Sequence, residues 1–183
     1  MYSVALVLPR GVSDQLPKGY ESMAVKMGDI NGDRLIDYVI VVRDKDENKI
    51  YERTKQAPRR PLLIFIQKPD SSFVLSARND FVVYRLDMGG QCDPFLDDGD
   101  GISIQGIFFT IENGVACGAH WTDYITFKYS KKLNNWIFHK RIFESWVMNF
   151  SGSPDAEALI LDSKKMTLGN QKSPLFLGSY QPN

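Results

Sequence analysis

Cysteine and histidine are scarce in this chain, with two of each among 183 residues. Two cysteines, Cys92 and Cys117, exclude a disulfide-dense scaffold and leave too few soft ligands for a Cys-rich zinc centre. They could still form one bridge, closing a loop of about 25 residues and worth roughly 3 to 4 kcal/mol in chain entropy. Two is also a common count of inert thiols, so both states stay open. Long apolar runs are missing as well: "PLLIFI" and "YVIVV" fall far short of the roughly 20 residues that carry a helix across a bilayer. Net charge is absent, because 22 basic residues balance 22 acidic ones. There is accordingly no global electrostatic case for nucleic acid, an anionic membrane or a polyanionic substrate. No internal repeat, Gly-rich phosphate loop, helical metal motif or G-x-S-x-G elbow is found. "MYSVALVLPRG" has neither a basic leader segment nor an apolar stretch of full leader length. Two readings follow, a cytoplasmic protein or a mature secreted chain carrying a new start.

What is present is β-forming. Apolar residues make up 43% and aromatics 12% of the chain, which suits a folded domain rather than a disordered one. Short runs rich in Val, Ile and Phe recur between Gly, Pro, Asp and Ser, at 20–27, 37–43, 61–67, 73–78, 80–86, 101–106, 107–114, 123–130 and 135–143. "KPDSS" and "KKLNN" read as hairpin connections, so neighbours in sequence are expected to be neighbours in an antiparallel meander. The expected fold is a single mainly β domain over 1–183, with sandwich or propeller-like sheets in a body spanning 16–143. Residues 43–61 are crowded with charge of both signs and read as a long exposed connection, with one helical turn at "ENKIYERTK". Residues 151–183 are poorly periodic and are expected to wrap the sheets as an irregular tail, with a short helix at "PDAEALILDS" as the alternative.

The most specific chemistry lies in "KMGDINGDRLIDYVIVV". Calcium takes six to eight oxygens, and short loops supply them from positions 1, 3 and 5, a carbonyl at 7 and a later carboxylate. Asp29, Asn31 and Asp33 fit the first three, Leu35 offers the carbonyl, and Asp37 supplies the later carboxylate. Position 12 is Ile40 where a helix-loop-helix hand needs glutamate, and the flanks are β, which excludes an ordinary EF-hand. The other reading is a polar Asp/Asn/Gly turn without an ion. Against it stands electrostatics: three carboxylates held a few ångströms apart repel, and a divalent cation reverses that.

"DINGDRLID" resembles the D-x-[DN]-x-D-G-x-x-D signature of FG-GAP-type repeats, in which the loop joins adjacent strands and a metal clips it shut. The sequence departs at position 6, where Arg34 stands in place of glycine. The wider order "GDINGDRLIDYVIVV", "RPLLIFIQKPDSSFVLSARND", "CDPFLDDGDGISIQGIFFTIENG" and "ITFKYSKKLNNWIF" is similar to a group of bacterial envelope proteins with a calcium-type loop on a β-rich body. The likeness covers about 16–143. It implies Ca2+ as cofactor and a periplasmic or surface setting, which would also favour joined cysteines. It implies no established reaction. A looser analogy is to immunity proteins that neutralise secreted antibacterial effectors.

Other clusters have a bland and a functional reading. Asp93, Asp97, Asp98 and Asp100 in "CDPFLDDGDG" make a solvated turn, a second ion site or an acidic docking surface; Asp97, Asp98 and Asp100, with Trp121 from an aromatic-rich β face, are the candidate contacts for a basic protein partner. Cys117, His120 and Asp123 tempt as a catalytic trio, but residues three apart on a strand point to opposite faces. The aromatics from Trp121 to Trp146 suit core and cross-strand pairs, and some suit a protein or glycan contact. The expectation is a non-enzymatic, extracytoplasmic calcium protein that binds a macromolecular partner, with no nucleic acid and no membrane span. The rival is a cell-wall hydrolase using Asp and His groups near 93–100 and His120.

Overall fold

The computed structural model describes residues 8–89, 93–95, 101–115, 120–151 and 157–182. The elements are α1 (Arg10–Ser13), β1 (Tyr20–Gly28), β2 (Asp37–Asp44), α2 (Glu47–Thr54), β3 (Leu62–Gln67), β4 (Phe73–Asn79), α3 (Leu86–Gly89), β5 (Ile102–Gln105), β6 (Phe108–Val115), β7 (His120–Ser130), β8 (Asn135–Met148) and β9 (Leu159–Leu168), with a 3-10 turn at Leu177–Ser179. Two antiparallel meanders result, β1-β2-β3-β4 and β5-β6-β7-β8-β9. The fold is mainly β, as the spacing of short apolar runs predicts. Both expected hairpin connections form, helped by Ser71 at φ 65 and Asn134 at φ 48, which reverse the chain.

The first sheet is a middle layer, and its sequence shows why. Strands β2 and β3 carry unbroken apolar runs rather than alternation, the pattern of strands covered on both faces. Val39, Val41, Leu62 and Ile64 point to the second sheet, where they meet Phe109, Ile111, Ile125 and Phe127. Tyr38, Ile40, Val42, Leu63 and Phe65 point the other way and are covered by Val12 with Leu8, Leu16 and Phe73. The two sheets approach closely at Gly28, where an added Cβ would lie 3.1 Å from the Ile104 side chain.

Three segments depart from the sequence expectations. Residues 80–86 are not a strand. Asn79 ends β4 by accepting the amides of Phe81 and Val82, both at 2.7 Å, and donates to the Leu177 and Tyr180 carbonyls. Val82 and Val83 then fill the core without joining a ladder. The charged connection does form a helix, α2, but it is not wholly exposed: Glu47 and Arg60 are buried. The 151–183 segment is not an irregular tail throughout, because Leu159–Leu168 pairs with β8 as a fifth strand. Wrapping begins only after Gly169, where the Phe138 amide meets the Leu175 carbonyl.

Candidate metal centre

The loop between β1 and β2 is held by its own carboxylates. Asp29 Oδ1 accepts the amides of Gly32 (2.6 Å) and Asp33 (3.2 Å), and its Oδ2 accepts that of Arg34 (2.8 Å). Asp33 Oδ1 accepts the Leu35 amide at 2.8 Å. Asn31 is bonded to Asp33 twice, through its Oδ1 to the backbone amide and its Nδ2 to the carboxylate, both at 2.9 Å. Such turns need left-handed backbone, and Gly32 supplies it at φ 78. Arg34 also sits there, at φ 72, so the residue that departs from the repeat signature adopts the conformation glycine would take. Replacing Arg34 by glycine is therefore expected to raise stability by up to about 1 kcal/mol, partly offset by glycine's greater freedom when unfolded. Thermal melts in chelator would show it.

Asp37 anchors the loop to the core. As the first residue of β2 it has no exposed surface. Its Oδ2 accepts the Ile30 amide and its Oδ1 the Gln67 amide, each at 3.1 Å, while the Gln67 side chain accepts the Ile36 amide at 3.0 Å. Burial, opposed by those two amides and assisted by the charges of Asp33 and Asp29, pushes its carboxyl up to about 6. Asp29 goes the other way. Burial disfavours its charge, but the surrounding backbone amides overcome that and hold its carboxyl below the ordinary value. From the turn between β7 and β8, Lys131 reaches over to donate to the Gly32 carbonyl at 3.2 Å.

Oxygens of Asp29, Asp33 and Asp37 lie within 4.8 Å of one another. Ligands on one calcium at about 2.3 to 2.6 Å are at most about 5 Å apart, so a single cation fits among them. This triad could hold a metal ion. Of the other predicted ligands, Asn31 is buried and bonded to Asp33, and Leu35 donates its amide to the Asp33 carboxylate.

The other candidates separate. Asp97, Asp98, Asp100, Cys92 and Cys117 lie outside the described residues. Trp121 is half-buried, stacked on Phe143 at 5.9 Å and tilted against Tyr84 at 5.8 Å. His120 stacks on Trp146 at 6.1 Å. Asp123 is buried and bonded to Arg141 (2.8 and 3.0 Å) and to the Tyr84 hydroxyl (2.6 Å). Burial, and then the bond to Asp123, raises the Tyr84 phenol well above its usual range. Asp93 is buried too, and takes a bond from Arg60, which also grips Glu47 through Nε (2.7 Å) and Nη2 (3.0 Å). The sequence reading missed this ion triad, since Arg60 belongs to a charged stretch that resembles a solvated loop. The apolar strand immediately following Pro61 was the available signal. No protein-family model matches the chain, and no curated protein or solved structure matches it either.

Proposed function

We propose that this is a non-catalytic, extracytoplasmic protein that takes one structural Ca2+ in the Asp29–Asp37 loop and acts by binding another protein, as an inhibitor or immunity-type partner of a secreted effector. The convergence of three carboxylates, one of them fully buried, carries the metal reading. A buried carboxylate beside two others is costly when ionised, and a hard divalent cation is the ligand that offsets the cost. Asn31 and the Leu35 carbonyl complete the oxygen set. The likeness of the loop to FG-GAP-type repeats supports calcium over other hard cations and an extracytoplasmic setting where calcium is millimolar. Partner contact is assigned to Asp97, Asp98 and Asp100 with Trp121. Against the hydrolase reading, Asp93 and Asp123 are already committed to Arg60 and Arg141.

Titration calorimetry on chelator-treated protein is expected to show one Ca2+ bound with Kd of about 0.1 to 1 mM, and Asp33→Asn is expected to weaken it by about tenfold. Absence of heat at millimolar calcium, with no shift in melting temperature, would remove the metal from the reading. The partner is tested separately, by crosslinking in the native source followed by mass spectrometry, alongside incubation with peptidoglycan. Soluble fragments lost on His120→Ala would replace the binding role with a hydrolytic one.

A further inference from the structure

Three of the four sheet edges have neighbours: β1 and β5 approach at Gly28 and Ile104, and the chain after Phe176 lies along β4 through Asn79. Strand β9 differs. Among the described elements only β8 is hydrogen-bonded to it, and nine of its ten residues are exposed. Large apolar side chains gather along it, with Met166 60% and Leu168 66% exposed beside Ile160, Leu161 and, on β8, Met148. A strip of this kind on an open edge marks a contact surface.

We infer that β9 is the seam of a symmetric dimer, pairing antiparallel with β9 of a second copy to join two five-stranded sheets into one. Charge selects the occupant. A two-fold axis perpendicular to the sheet places one residue opposite its own counterpart. Centred on Asp162 it opposes two carboxylates, and centred on Lys164 or Lys165 it opposes two ammonium groups. Centred on Ser163 it opposes two hydroxyls and brings Lys164 beside Asp162 of the second copy, twice by symmetry. The two groups are ready for this. Asp162 is the extra residue of the bulge where pairing steps from Ser145–Ser163 to Trp146–Leu161, and it makes no ion pair with any described residue. Lys164 already meets Glu144 at 2.6 Å, so a chain of alternating charge would cross the seam. Edge lysines ordinarily discourage pairing, but Lys164 is balanced by Glu144 and Lys165 lines a separate cleft with Arg141 and Phe143. The same register lays Met166 against the Leu159–Ile160 end of the second copy.

One strand pair and its side chains make a small interface, so dimerisation with Kd on the order of 10 to 100 µM is expected. Sedimentation velocity from about 10 µM to about 500 µM, with reductant present, should show a concentration-dependent dimer. Asp162→Lys and Met166→Asp should each weaken it by about tenfold or more while leaving far-UV circular dichroism unchanged. A wild-type chain that stays monomeric over that range, or a dimer equally strong in both variants, overturns the assignment.

Discussion

Replacing Arg60 by alanine is expected to destabilise the protein by about 3 to 5 kcal/mol, a drop of roughly 10 °C or more in melting temperature. The guanidinium has no exposed surface, and Glu47 and Asp93 are buried on either side of it. Burial alone would favour losing its charge, yet the two carboxylates more than compensate and hold its pKa above the ordinary value. Removing it strands two carboxylates away from water with no counter-ion, which is why the loss exceeds that of an exposed pair. The paired test is Arg60→Met with Glu47→Gln and Asp93→Asn. An apolar stem facing neutral amides should recover much of the loss, because a buried ion triad contributes little net stability beyond a well-packed substitute. Equal destabilisation by the single and triple variants in urea titrations would show that packing, not stranded charge, governs the site. The triad ties Glu47 of α2 and Asp93 to Arg60, just before the start of β3.

The second large effect is in the pH dependence without metal. The Asp37 carboxyl is raised to about 6, so the folded chain holds that proton more tightly than the unfolded chain does. Its contribution is therefore fully present below about pH 4 and is lost as pH rises through 6. The shift from an ordinary value of 3.8 corresponds to about 3 kcal/mol. Asp29 contributes oppositely: its carboxyl is lowered, so its stabilisation is present at neutral pH and lost in acid. In chelator, unfolding free energy is expected to fall between about pH 4 and pH 7, and Asp37→Asn is expected to flatten that fall. With several millimolar Ca2+ the fall should shrink, because a bound cation makes the ionised Asp37 the favoured form. Urea titrations across this range, with and without Ca2+, measure both. Parallel curves in the two conditions would mean that no metal reaches Asp37.

The acidic loop was legible because its signal is local. Asp29, Asn31, Asp33 and Asp37 are spaced by the geometry of one turn, and carboxylates at that spacing must either cap amides or gather a cation. The mainly β fold was legible for a similar reason, since Val, Ile and Phe runs between turn residues recur along the chain. What could not be read was whether a run would pair. "FVVY" has the composition of a strand, but Asn79 diverts the chain to bond a segment almost a hundred residues later, and Val82 and Val83 become core filler instead. "LILDSKKMTL" has the composition of a tail, yet β8 continues far enough to give it a partner.

By itself the sequence determined the class of fold, the hairpin turns and the oxygen-rich loop, all of which depend on residues within about ten positions of one another. Only the tertiary structure decided that Asp37 loses contact with water, that Arg60 is buried between two acids, and that β9 pairs on one side only among the described residues. Each of these depends on which distant segment covers a residue. Burial sets the cost of a charge and the worth of an apolar surface, and no local pattern encodes it.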